Sequence, residues 1–440
     1  MMISKLRIWM VMAALAVFAE EPAKFTLAQC IEYAMEHSPT VAKQELVVRN
    51  QKLQTVIEEA QFDLTLTASD SHSAQSGVNT GSVTLSKEFK SGVEVRGWTS
   101  STRENGKGVT SSYAAVQLSK KLLGGGSALE TRYALQASML DELAALNTYN
   151  RMRRKLAQDV KIAYYNVIEA QQSLLVKQRA LENAKHTLEL TREREKPLDI
   201  LTAEIRIPEN ELSVNMAQRS IDNGLEQLKD LMGMDIDTPF GITGDFDFAV
   251  KDFNLPEDIA FARENLETYL NNRLERKKLT WQVDIRDDRT LPDVSLSATH
   301  YQYGDGDGYN FDGKDEQVIA LNLTYVFGRN ADLAQLAISR NRLQTNQHDY
   351  FILDQELNVS LKSYHRRLLE SAQAVKLQES LCDIQKRKEE LYRDKWENGE
   401  IDILELVRTQ TDLENAYVEL INKKITYLQL VANYEYTMGK

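Results

Sequence analysis

The side chains that could do chemistry in this chain are few and scattered. Its histidines, His37, His72, His186, His300, His348 and His365, share no metal-ligand spacing with cysteine or carboxylate, and no nucleophile motif or glycine-rich phosphate loop stands near them. Cys30 and Cys382 match no metal or redox spacing. Both read as buried helix residues, and Cys30 sits too far beyond the N-terminal apolar run to carry a lipid. The segment Tyr303-Gly304-Asp305-Gly306-Asp307-Gly308-Tyr309 resembles a calcium loop in content, but its spacing completes no EF-hand and it reads as a solvent-facing turn. The chain therefore reads as a non-enzyme, with no cofactor and no metal site.

The elements that carry these residues are elongated. In 440 residues there are only 7 Pro and 20 Gly, with no low-complexity linker, so one extended unit fits better than a string of small domains. A charged start (Lys5, Arg7), an apolar run from Ile8 to Phe18 and the small residues Val17 and Ala19 predict a signal peptide over 1–19. That run is shorter than the ~20 apolar residues of a spanning helix, and no other segment is long enough, leaving a soluble fate or a β-barrel. A net charge of −12 argues against a nucleic-acid partner.

Self-similarity organises the chain. Asp63-Leu64-Thr65-Leu66-Thr67-Ala68-Ser69 recurs in type as Asp293-Val294-Ser295-Leu296-Ser297-Ala298-Thr299, and the stretch from Leu198 to Gly233 recurs from Leu404 to Gly439. Two structural repeats are expected, 20–233 and 255–440, joined by a linker at 234–254. Each runs helix, strands, long helix, turn, return helix. Apolar residues seven apart mark the helices: Val160, Val167, Leu174, Leu181 and Leu188 in one, Ile200, Ile207, Val214, Ile221 and Leu228 in its return. The second repeat has Leu361, Leu368, Val375 and Cys382, answered by Leu406, Leu413, Leu420, Tyr427 and Tyr434. A strict seven-residue period keeps one seam toward a partner, so each pair predicts an antiparallel coiled-coil hairpin. The long helices, 129–195 and 331–396, would each extend about 100 Å at ~1.5 Å per residue, too long for a compact bundle. The return helices are expected over 198–232 and 401–438.

Strands are expected at 62–70, 112–120, 292–302 and 317–327. Ile319, Leu321, Leu323, Tyr325 and Phe327 alternate with Ala320, Asn322 and Thr324, which suits either a tilted membrane strand or a soluble sheet covered on one face. The signal peptide and helix lengths favour the membrane. Four strands cannot close a barrel alone, so several chains must share one. A further hairpin at 81–100 either lengthens an external loop or joins the barrel.

In order along the chain, Phe25 to Pro39, Leu291-Pro292-Asp293-Val294-Ser295-Leu296 and Gly399 to Ala416 resemble the outer membrane efflux protein family, the TolC-type channels. The fold class is thus mainly α, a long antiparallel coiled-coil α-barrel plus strands contributing to a shared trimeric β-barrel, internally duplicated. The resemblance implies a homotrimer with twelve strands, set in outer-membrane lipid and extending into the periplasm. It implies a periplasmic adaptor and an inner-membrane transporter as partners, in a tripartite efflux pump or a type I secretion system.

The resemblance also implies a periplasmic gate at the helix tips. Glu405 matches the first acidic position of the second hairpin, Arg408 stands where the second acid is expected, Asp402 is placed to supply that charge, and Asp199 lies at the first hairpin. Trp396, Asn398, Gly399 and Glu400 form the expected adaptor-contact tip. The first hairpin departs from the family plan: it is shorter, has Lys196-Pro197 in place of a glycine turn, and should kink at Pro208. A coiled-coil scaffold shares the heptads but has no use for strands with lumen-type faces.

Overall fold

A computed structural model describes residues 23–104, 106, 108–193, 196–243, 248–304, 311 and 313–440. The expected signal peptide, Arg194 and Glu195 of the first hairpin, and most of the glycine-aspartate loop lie outside the described residues.

Element lengths repeat along the chain. Helices α1 (Leu27–His37) and α2 (Pro39–Ala60) have 11 and 22 residues, as do α5 (Leu255–Asn265) and α6 (Glu267–Asp288). The long helices α3 (Ala128–Arg192) and α7 (Asn330–Glu397) have 65 and 68, and the return helices α4 (Pro197–Met232) and α8 (Ile403–Met438) have 36 each. The single helix expected at the start of each repeat is split. Pro39 disfavours helical geometry at Ser38, which adopts φ −65°, ψ 126°, and Leu266 takes nearly the same extended geometry in the second repeat. Helix α4 continues through Pro208 as one element.

The chain divides into two compact units. The first comprises residues 1–42, 152–259 and 359–440. Its core is the predicted heptad seams: Val160, Val167, Leu228, Leu361 and Tyr434 have no accessible surface or almost none. Cys30 and Cys382 are buried and unpaired, and burial pushes the Cys30 thiol up to about 12. Such a thiol is inert at neutral pH. The region expected as linker carries a short strand absent from the sequence reading: β6 (Phe240–Ile242) pairs in parallel with β1 (Ala23–Phe25). Nearby, Glu435 receives hydrogen bonds from Lys161 at 2.9 Å and Lys251 at 2.8 Å.

The second unit, 43–151 and 260–358, holds one antiparallel sheet. Its strands are β2 (Thr65–Ser73), β3 (Val78–Glu88), β4 (Val93–Glu104), β5 (Gly108–Leu123), β7 (Asp293–Tyr303) and β8 (Asp315–Thr324), in the order β2-β3-β4-β5-β7-β8. The additional hairpin is therefore β3–β4, lying between β2 and β5 as an integral part of the sheet. Among the described residues the sheet has six strands, four at the expected places and two from the hairpin whose place the sequence left open. The β3–β4 turn is held against the end of α2, where Lys90 pairs with Glu59 at 2.8 Å and sits over the Phe62 ring, and Gly92 takes a left-handed φ of 76°.

Register sorts the two faces. One row runs Leu66, Leu85, Gly97, Val116, His300, Gln317, and its neighbour runs Thr67, Thr84, Trp98, Ala115, Tyr301, Glu316. The face containing Leu66 also carries Val83, Leu118, Leu296, Ile319, Leu321 and Leu323. These residues are exposed, Ile319 at 79% and Leu66 at 68%. The opposite face is lined with hydroxyls and amides, including Ser69 and Ser82 in contact at 2.7 Å and Gln117 donating to Thr299 at 3.1 Å.

Candidate functional site

The expected gate residues all belong to the two hairpin ends of the first unit. At the second hairpin, α7 ends in a glycine turn. Gly399 has φ 78°, its N–H donates to the Trp396 carbonyl, and the Glu400 N–H reaches back to Lys395, which closes the last helical carbonyls in a Schellman-type turn. Asp402 then caps α8, its carboxylate accepting the Ile403 N–H at 2.7 Å. Glu405 follows in the first turn, where the helix dipole favours negative charge. Asp402, Glu405 and Arg408 are spaced three apart at the start of α8, which places them along one side of its first turns.

The first hairpin has the corresponding helix start 206 positions earlier in the sequence. Lys196 occupies the place of Asp402 and Asp199 that of Glu405. Lys196 has no capping side-chain bond, Pro197 opens α4, and Lys196 approaches the Asp199 carboxylate at 4.0 Å. Two acids therefore mark the second helix start against a lysine and one acid at the first.

Trp396 does not join Asn398, Gly399 and Glu400 on the surface. Only 3% exposed, it packs with Leu188, Ala203, Ile403 and Leu406, joining side chains from both hairpins. An adaptor docking on this tip would meet the turn residues and not the indole. Burial of an aromatic of this size is a large apolar contribution, so Trp396 anchors the tips together.

Beyond that cluster a cavity of about 200 Å³ opens among α3, α4, α7 and α8, with Asn210, Arg206, Glu389 and Glu414 in its wall. Glu389 is held by Arg393 at 2.6 Å and Glu414 by Lys177 at 2.5 Å. Among the described residues no group of histidine, cysteine and carboxylate side chains could hold a metal ion.

Two exposed apolar rows near the tips escaped the sequence reading. On α4, Leu198, Leu201, Ile205, Leu212 and Met216 are each more than 60% exposed; on α7, Leu377, Leu381, Ile384 and Leu391 are exposed too. The signal was a second seven-residue period, 198-205-212, beside the half-buried 200-207-214.

Comparison with solved structures places this arrangement. The structure of CusC, described for folding and transmembrane channel formation, superposes with a TM-score of 0.72 over 97% of this chain and 95% of its own, at 13% identity. The open state of the MtrE outer membrane channel of Neisseria gonorrhoeae gives 0.70 over 94% and 88%, at 17% identity. The outer-membrane channel OprN gives 0.69 over 94% and 89%, at 14% identity. This chain has the fold of the TolC-type outer-membrane channels. No protein-family model and no curated protein matches it by sequence. The mainly helical fold with an antiparallel sheet expected from the sequence agrees with these structures.

Proposed function

We propose that the protein is an outer-membrane exit channel that conducts substrates passively from an inner-membrane transporter, through a periplasmic adaptor, to the exterior. The observation that carries this reading is the sheet: its strands present a continuous exposed apolar face on one side and hydroxyls and amides on the other. A water-soluble sheet would cover the apolar face, whereas in lipid that face needs no cover and the polar face lines a lumen. No helix among the described residues is long and apolar enough to cross a membrane, so this sheet is the membrane element of the proposal.

Three copies form the channel. The open edges at β2 and β8 cannot face hydrocarbon, and a chain that closes with copies of itself removes them. The apolar rows on α4 and α7 lie at comparable distances from the hairpin turns, and packing one against the other between neighbouring copies would bury both. The channel serves a tripartite efflux pump or a type I secretion system. Asn398, Gly399 and Glu400 supply the adaptor contact, and no step of the function requires catalysis or a cofactor.

Gating is assigned to the hairpin ends. Three copies of Asp402 and Glu405 around one axis would place like charges close together, so cations or protons stabilise the narrow state. The test is single-channel recording in planar bilayers. Discrete conductance steps that rise in the Asp402→Ala/Glu405→Ala double variant are expected. Steps with unchanged conductance and unchanged cation block would remove the gate, and no steps from correctly folded oligomer would remove the channel.

A further inference from the structure

We infer that each copy contributes all six strands to the membrane barrel, which in a trimer gives eighteen strands and a wider lumen than four strands per copy would enclose. The inference rests on the channel reading above and concerns only the second unit.

Four observations carry it. First, β3 and β4 are hydrogen-bonded on both sides, β3 to β2 along Thr65–Ser73 and β4 to β5 along Val93–Glu104, with one irregularity at Thr102/Arg103. Removing the hairpin from the barrel would break both ladders and oblige the edges of β2 and β5 that now pair with it to find another partner in hydrocarbon. Second, the hairpin shares the two-faced pattern of the outer strands. Val83, Leu85 and Val95 continue the apolar face, and Thr84, Ser86, Arg96 and Ser100 continue the polar one.

Third, the ends of the sheet fit each other. The strands alternate in direction, so an even number per copy sets β8 antiparallel to β2 of the next copy. At that junction Ile319, Leu321 and Leu323 would meet Leu64 and Leu66 on the lipid face, with Ala320, Asn322 and Thr324 beside Thr65 and Thr67 inside.

Fourth, the apolar band crosses the sheet obliquely. Leu66 of β2 lies in the row of Gln317 of β8, while the apolar centre of β8 is Leu321, four positions nearer the helices. Over five strand-to-strand steps this is roughly one residue per step, and at ~3.3 Å per residue and ~4.8 Å between strands it corresponds to a tilt of roughly 30°. A band that is level in the bilayer requires such tilt. At the helix-proximal end of the same face, Phe89 of the hairpin turn joins Tyr325 and Phe327 as the aromatic edge expected at a lipid–water boundary.

Eighteen strands at that tilt enclose a backbone diameter of about 32 Å, against about 21 Å for twelve. The inner face has bulk suited to the larger ring: Trp98, Tyr113, Tyr301 and Tyr303 cluster there with centroids 6.0 to 6.1 Å apart along the chain of contacts. Three such clusters would form an aromatic collar around the lumen.

The experiment is disulfide mapping in outer membranes, followed by cryo-electron microscopy of the extracted oligomer. In a Cys30→Ala/Cys382→Ala background, the pairs Ser69→Cys/Ser82→Cys and Ser100→Cys/Tyr113→Cys should cross-link on mild oxidation, and Ser69→Cys/Tyr113→Cys should not. The map should show eighteen strands. A membrane trimer with twelve strands and a Ser69–Tyr113 cross-link overturns this inference and leaves the channel reading intact. Absence of any membrane-embedded oligomer overturns both.

Discussion

The Asp402 carboxylate accepts the Ile403 backbone N–H at 2.7 Å, so the residue expected to contribute charge to the gate also starts helix α8. The two roles separate by substitution. Asp402→Ala loses cap and charge, with a cap worth roughly 1 kcal/mol, whereas Asp402→Asn keeps a capping oxygen and removes the charge. If charge sets the gate, both variants raise bilayer conductance. If only the cap matters, Ala changes it and Asn does not.

Trp396→Ala should loosen both hairpin ends. The indole is enclosed by residues of α3, α4 and α8, and truncating a buried tryptophan costs about 3–5 kcal/mol. Hydrogen exchange should speed up together in segments 184–207 and 396–409, and the channel should occupy its open conductance level more often. Unchanged exchange at Leu188 and Ala203 would show that the indole does not join the hairpins.

The apolar rows predict where copies meet. Ile384→Asp places a charge in the α7 row, and Ile205→Asp does the same on α4. Each single variant should lower the fraction of trimer on native gels while leaving the far-ultraviolet spectrum of the chain unchanged. A trimer fraction equal to wild type in both would place the interface elsewhere.

Acid should weaken both units through two carboxylates. Burial alone would raise Glu435, but the hydrogen bonds from Lys161 and Lys251 outweigh it and hold the carboxyl below its ordinary value. Hydrogen bonds from Arg263, at 2.7 and 2.9 Å, hold Asp354 low in the same sense. A depressed folded-state pKa contributes stability that is complete above the unfolded value and is lost as pH falls through the folded one. The melting temperature should therefore drop from about pH 5 to pH 3. Lys161→Met/Lys251→Met and Arg263→Met should each flatten that drop, and an unaltered pH profile in both would count against these pairs.

Much of the architecture was legible because coiled coils write their seams every seven residues: Val160, Val167, Leu361 and Leu368 are all buried. Strand alternation was legible too, but alternation records faces and not neighbours, so the place of β3–β4 between β2 and β5 emerged only from register. Trp396 beside a glycine turn looked like an exposed tip residue. Its burial depends on Leu188 and Ala203 in the other repeat, far away along the chain, which no local pattern encodes. The cap at Asp402 was readable from an acid three residues before Glu405, a common helix-start signature.

The most direct measurement of the central claim is the state of the protein in its native membrane. Outer-membrane fractions extracted in mild detergent should contain the chain as a trimer that runs compactly on gels unheated and as a single 50.2 kDa chain, less any cleaved signal peptide, after boiling. Recovery of the chain in the soluble fraction as a monomer or dimer, with no heat-modifiable form, would contradict the account.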